Sequence, residues 1–315
     1  MFLIKGFVKM NKKLPKIIVI VGPTASGKTD LGLRLAKKYN GEVVSVDSRQ
    51  VYKKMDIGTA KPKGEWKEGV YEVDGVRHHL IDIIEPDQNF SLADFKVLVT
   101  KCIQDILSRK KIPIIVGGTG LYVWSVVDNL DIPQVAPNLE LRNELGKKSL
   151  NELLDMLAKL DPETSTQIDV HNPRRVLRAL EVIISSGRSF VAQQTKSEPL
   201  YNALQIGIDV SKEDLYKRIE TRIDMQMQEG LLAETEMLVR LGYAWNLPSM
   251  SGIGYRQIGY FLQNKMSLAE AVEKLKYDTK KYAKRQLTWF KRDKRIVWLS
   301  NINPSSFEEG FIENF

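Results

Sequence analysis

The chain has 315 residues, 43% hydrophobic and 27% charged, with a formal net charge of +8, a balance that excludes intrinsic disorder and suits one large or two modest globular domains. Its single cysteine excludes a disulfide framework and any cysteine-based zinc site, which points to a reducing, cytoplasmic setting. No apolar run approaches the roughly eighteen residues that a membrane-spanning helix needs, so no membrane partner is expected.

Residues 1–14 read as a short extension, with Met10 as an alternative start. Ile17 to Val21 is a Val/Ile run and the first expected strand. Directly after it, Gly22, Pro23, Thr24, Ala25, Ser26, Gly27, Lys28 and Thr29 fit G-x-x-x-x-G-K-[ST] and open a helix, Lys28 to Tyr39. This is the P-loop pattern of nucleotide-binding proteins, ordinarily ATP-binding: glycines turn backbone N–H groups onto phosphate oxygens, the helix N-terminus adds its dipole, Lys28 adds a point charge, and Thr29 can hold Mg²⁺. Val43 to Val46 is the second strand, with Asp47 at its carboxyl edge, where ligands gather in open α/β sheets. On its own Asp47 reads first as a turn cap or as support for Mg²⁺, and only second as a reacting group. Leu80 to Ile84 is a third expected strand. Ser91 with Asp94 forms a capping-box pattern before the helix Phe95 to Arg109, whose stripe Phe95, Leu98, Cys102, Ile106 makes Cys102 a packing residue. Ile112 to Val116 is the fourth strand, followed by Gly117, Gly118, Thr119 and Gly120, either a tight turn or a backbone built for close approach to a ligand.

After about Asp128 the pattern is helical only, from Asn138 to Gly187. Ser149 with Glu152 opens a helix carrying Leu150, Leu153, Leu154 and Leu157 on one face. Asp161-Pro162 and Asn172-Pro173 each place a capping residue before a proline. Leu204 to Asp209 restores the strand character, helices follow over Lys212 to Glu229 and Leu268 to about Arg292, and Ile296 to Leu299 is a last strand. The expected fold is α/β, a P-loop NTPase-like parallel sheet flanked by helices with an all-helical insertion. Its core is expected at residues 15–130 and 200–300, the insertion at 131–199, and 301–315 as a terminal extension. Two basic regions stand out. Arg174, Arg175 and Arg178 share one helical patch, and Lys276 to Arg295 carries nine Lys/Arg against two Asp. Each is either a solvated helix face or a surface for a polyanion such as RNA.

A longer series of motifs carries a resemblance. The P-loop is followed by Asp47-Ser48-Arg49-Gln50-Val51-Tyr52, Met55-Asp56-Ile57-Gly58-Thr59-Ala60-Lys61-Pro62, His78-His79-Leu80-Ile81-Asp82 and Gly117 to Tyr122. Then come Arg174 to Glu181, Gly252 to Gln257, and Tyr282-Ala283-Lys284-Arg285-Gln286-Leu287-Thr288-Trp289-Phe290. In this order they resemble the tRNA dimethylallyltransferase family over about residues 17 to 299. The resemblance implies a P-loop that grips the diphosphate of dimethylallyl diphosphate with Mg²⁺ as cofactor, and transfer of the prenyl group to N6 of adenosine 37, beside the anticodon of tRNA. It implies Asp47 as the general base, Thr119 beside the flipped base, and Arg222 on the diphosphate. Contacts to the tRNA anticodon arm are implied for Asp47, Ser48, Arg49, Gln50, Thr119, Arg142, Arg174, Arg175, Val176, Leu177, Arg178, Ser251, Gly252, Ile253, Gly254, Tyr255 and Arg256. His78, His79 and His171 read as structural, and a monomer is expected. The rival functions are an adenylate isopentenyltransferase, a small-molecule kinase and a non-catalytic RNA-binding ATP switch.

Overall fold

The computed structural model describes residues 14–133, 135–300 and 315; the extension 1–13 and residues 301–314 lie outside the described residues. Eight strands form one sheet: β1 (Lys16–Val21), β2 (Gly41–Ser45), β3 (Glu65–Lys67), β4 (Val70–Val73), β5 (Val76–His79), β6 (Ile112–Gly117), β7 (Asn202–Asp209) and β8 (Val297–Ser300). The order is β3-β4-β5-β2-β6-β1-β7-β8. From β5 to β8 every neighbouring pair is parallel, whereas β3 and β4 add an antiparallel edge. Ile17 to Val21 are all fully buried, which is why these strands read as unbroken apolar runs: helices cover both sides of a parallel sheet.

Helix α1 (Lys28–Lys38) lays Leu31, Leu35 and Ala36 on Ile18, Ile20, Val43, Ile114 and Val116. Helix α2 (Leu92–Ser108) starts at the Ser91/Asp94 capping box and buries Phe95, Val99, Ile103 and Ile106. Beside that stripe Cys102 is half-buried, and burial pushes its thiol up to about 11. The expected strand at Leu80 to Ile84 is a correction. The strand lies earlier, at Val76–His79, because Leu80 and Asp82 adopt φ of 61° and 53°, left-handed values that end extended structure. Leu80 and Ile81 are buried all the same, which gave that stretch its strand-like look.

The chain divides into two compact units, one running to Val126 and resuming at Leu200, the other Val127–Pro199. The first also contains most of α3 (Gly120–Val127). In the second, α4 (Leu139–Leu145), α5 (Leu150–Leu160), α6 (Pro162–Gln167) and α7 (Pro173–Ser186) enclose Leu145, Leu153, Leu157, Val176, Ala179, Leu180 and Phe190. Asn138, Ser149, Asp161 and Asn172 each accept a hydrogen bond from the N–H three residues on, so every helix of this unit begins on a capping side chain. The first unit continues with α8 (Lys212–Glu229), α9 (Leu231–Arg240), α10 (Tyr255–Leu262) and α11 (Leu268–Phe290). No helix among the described residues is long and apolar enough to cross a membrane.

Candidate active site

The turn from β1 into α1 is shaped by two glycines. Gly22 has φ of 151° and a Cβ there would stand 3.0 Å from Ser26 Oγ and 3.2 Å from the Ile208 carbonyl, while Gly27 has φ of 92°. Only glycine takes such a path without strain. Lys28 Nζ donates back to the Pro23 carbonyl at 2.6 Å, holding the ammonium over the turn. The Ser26 hydroxyl is buried and has no hydrogen-bond partner, the state of a group that awaits a ligand. Beside this cradle lies a cavity of about 500 Å³ that takes in Lys28, Thr29, Asp47, Gly118, Arg222 and Tyr282.

Arg222 reaches the cradle because α8 buries Leu215, Ile219 and Ile223 on one face and turns the guanidinium to the neighbouring one, where NH1 donates to Thr24 Oγ1 at 3.2 Å. Burial pulls the Lys28 ammonium down to about 7, Arg222 pushes it the same way, and Asp47 opposes them. Arg222 is itself lowered by burial, again with Asp47 opposing. Two desolvated cations therefore share a cavity with Asp47, an arrangement that a bound polyanion would stabilise.

Asp47 Oδ1 accepts from Arg49 N–H at 2.8 Å, so the carboxylate does cap a turn, and it also lines the cavity. Thr119 Oγ1 accepts from Ser48 N–H at 3.3 Å and is hydrogen-bonded to Tyr282, whose hydroxyl burial and Asp47 push up to about 12. The Asp47 turn and the Gly117–Gly120 loop are thus brought together. Gln50 is held between Ser45 Oγ, at 2.9 Å, and the Ala60 carbonyl, at 3.2 Å, and Arg49 binds the Pro248 carbonyl. Thr29 is exposed at the cavity edge.

Other expected contact residues are placed less freely. Gly252, Gly254 and Tyr255 are buried, Ser251 and Ile253 half-buried, and Arg256 exposed beside Asp278 at 3.3 Å. The Tyr255 hydroxyl donates to Glu234 at 2.7 Å, and the same carboxylate accepts the N–H groups of Asp56, Ile57 and Gly58 at 2.8, 2.8 and 3.0 Å. Tyr255 therefore anchors the Met55–Pro62 segment. The arginine patch on α7 is corrected in part. Arg178 pairs with Glu181 at 2.5 Å and Arg142 joins the same buried carboxylate at 2.8 Å, because Glu181 follows Arg178 by one helical turn. Arg174 and Arg175 remain exposed and Leu177 is half-buried, while Val176 is fully buried in the core. On α11, Lys276 pairs with Asp224 at 2.8 Å and Lys280 with Glu220 at 2.5 Å, leaving Lys281, Lys284 and Arg285 as its exposed cations.

His79 binds the buried Glu42 at 2.8 Å, as a structural residue does. His78 is buried as well, its Nδ1 bonded to the Val76 carbonyl at 3.0 Å and desolvation favouring the neutral ring, and it forms part of the cavity wall. Sequence reasoning gave no role to Arg218 or Gln286, which also line the cavity. Neither carried a local sequence signal for such a role, although Gln286 is buried between the exposed Arg285 and Thr288.

Comparisons with known proteins agree on one group. The family model described as IPP transferase matches residues 50–293. The chain is similar to a tRNA dimethylallyltransferase of Acetivibrio thermocellus, 43% identical over 308 residues and covering 96% of both chains, and to that of Heliobacterium modesticaldum, 43% identical over 290 residues, 90% of this chain and 89% of the other. Among solved structures it is similar to the full-length tRNA isopentenylpyrophosphate transferase from Bacillus halodurans, with a TM-score of 0.70 and 39% identity over 95% and 96% of the two chains. It is also similar to a eukaryotic dimethylallyltransferase acting on tRNA, with a TM-score of 0.76 and 26% identity over 95% of this chain and 77% of the other.

Proposed function

We propose, from the premise that this chain belongs to the IPP transferase family, how its cavity performs the reaction of a tRNA dimethylallyltransferase, the prenyltransferase activity its relatives carry. The donor is dimethylallyl diphosphate, bound with its diphosphate in the Gly22–Thr29 cradle. The acceptor is N6 of the adenosine next to the anticodon of tRNA. The observation that carries this reading is that the cradle, Lys28, Arg222 and Asp47 all line one cavity, of a size suited to a small ligand.

An exocyclic adenine amine has its lone pair delocalised into the ring, so it attacks well only as its proton is removed. Asp47 takes that proton while N6 bonds to C1 of the dimethylallyl group. The C1–O bond breaks and diphosphate leaves with the bonding electrons. Charge gathering on the leaving oxygens is met by Lys28, Arg222 and the cradle N–H groups. Thr119 holds Ser48 and the cavity-lining Tyr282 in place, at the side from which the unstacked base would enter. Thr29, exposed at the cavity edge, would hold Mg²⁺ beside the bound diphosphate. Mg²⁺ there would neutralise the leaving group.

Incubation of the purified protein with labelled dimethylallyl diphosphate, Mg²⁺ and unmodified tRNA, without any nucleoside triphosphate, tests this reading. Label in N6-(dimethylallyl)adenosine after nuclease digestion is expected. Strict dependence of product on ATP hydrolysis, or transfer to free AMP in preference to tRNA, would overturn it.

A further inference from the structure

Gln286 is buried, yet both ends of its amide are used. Its Oε1 accepts from the Thr24 N–H of the phosphate cradle at 2.8 Å, and its Nε2 donates to the Gly118 carbonyl at 2.9 Å. A donor at one end and an acceptor at the other fix the orientation of the amide. Tyr282 lies four residues earlier on α11 and Trp289 three residues later, a spacing that puts all three side chains on one face. Tyr282 is hydrogen-bonded to Thr119. Trp289 covers Gly120 so closely that a Cβ there would come within 2.2 Å of its ring, and a Cβ on Gly118 would come within 2.2 Å of Gln286 Nε2. Three successive residues of the Gly118–Gly120 loop are thus gripped by one helix face, and the central side chain of that face also holds the cradle.

On the reading proposed above, we infer that Gln286 is a positioning residue: it locks the cradle that holds the donor diphosphate to the loop that shapes the acceptor side, and so sets the separation between reacting carbon and amine. No other described residue makes a side-chain hydrogen bond to both segments. An error of about 1 Å in such a separation costs on the order of 10²-fold in rate.

Two variants test this, assayed for transfer from dimethylallyl diphosphate to tRNA from about pH 5.5 to 8.5, with melting temperature and donor affinity measured alongside. Gln286→Met keeps volume and loses both bonds; kcat is expected to fall by ~10 to 10²-fold with donor KM within about fivefold of wild type. Gln286→Glu, when ionised, can still accept from Thr24 N–H but opposes the Gly118 carbonyl; when protonated it restores both bonds. Its rate relative to wild type is therefore expected to fall ~10²-fold at the alkaline end and to recover at least tenfold toward the acid end. The charged and titratable groups that share the cavity with it are Asp30, Asp47, Lys28, Arg218, Arg222, His78 and Tyr282, and dividing by the wild-type rate at each pH removes their contribution. A merely structural role would lower the melting temperature without this pH-dependent recovery. A folded Gln286→Met variant with kcat within threefold of wild type overturns the inference; if that variant fails to fold, a flat pH ratio for Gln286→Glu overturns it instead. Absence of transfer by the wild-type protein is a different outcome, which removes the proposed function itself.

Discussion

Replacing Asp47 by Asn isolates the base from the turn it supports. The Asn carbonyl oxygen can still accept from Arg49 N–H, the bond that Asp47 Oδ1 makes at 2.8 Å, so the Asp47–Gln50 turn keeps its shape. Two things are lost. The first is the proton acceptor, worth ~10² to 10⁴-fold in turnover. The second is the one carboxylate that holds Lys28 up against burial and Arg222. With Lys28 at about 7, about a quarter of it is protonated at about pH 7.5 in the donor-free protein; a further drop of about one unit would leave roughly 3%. Donor KM should then rise by up to about eightfold, because the diphosphate binds the protonated form. Single-turnover transfer at saturating donor separates the two effects, and equilibrium tRNA binding serves as the control. The expected result is kcat down by ~10² or more, donor KM up by less than tenfold, and tRNA affinity unchanged. A kcat within about threefold of wild type would remove Asp47 as the base, whatever happened to KM.

The lowered Lys28 ammonium also predicts that donor binding takes up a proton: calorimetry in buffers of different ionisation enthalpy at about pH 8 should register close to one proton per donor, fading below about pH 6, and no uptake at pH 8 would contradict the buried-cation account. For Glu42, burial works to raise the pKa, but hydrogen bonds from Arg109, Lys111 and His79 win and hold it at about 2. The folded value lies below the unfolded one, so the stabilisation is complete above about pH 4.5 and is lost as pH falls through about 2; Glu42→Gln should lose about 2 to 3 kcal/mol at pH 7 and show a flatter acid limb in urea titrations, and parallel curves for the two proteins would refute this. Arg174→Ala with Arg175→Ala should flatten the log–log salt dependence of tRNA binding by about two units, whereas Arg178→Ala, which removes one of the two arginines on the buried Glu181, should act mainly on melting temperature. A salt slope that answered to Arg178 but not to the exposed pair would reverse that assignment.

What could be read from the sequence was local. The P-loop needs only its own eight residues and the strand and helix at its ends, and the capping residues Ser91, Ser149, Asp161 and Asn172 act within three positions of themselves. The misplaced strand at Leu80 arose because burial and extended backbone usually coincide, and here Leu80 and Asp82 are buried or half-buried on a left-handed path. The arginine patch was misread because helical spacing brings Arg174, Arg175 and Arg178 together but says nothing of Glu181 taking one of them, or of Arg142 arriving from another helix to share it. Gln286 lay furthest from reach: its partner Thr24 is 262 positions away in the chain, and no local pattern distinguishes an amide that bridges two loops from one that faces water.

Charge supports the proposal that this cavity takes a prenyl diphosphate with Mg²⁺. Its walls carry Lys28, Arg218 and Arg222 against Asp30 and Asp47, three positive and two negative charges, or +1 when Lys28 is protonated. A prenyl diphosphate brings about three negative charges near neutral pH, which would leave about −2 in the same space. One Mg²⁺ on the diphosphate brings the sum near zero. Donor and metal together thus leave the cavity close to neutral. A nucleoside triphosphate, one charge more negative, would leave an excess of about −1 in the same space, and that difference disfavours the ATP-dependent alternatives without any appeal to shape.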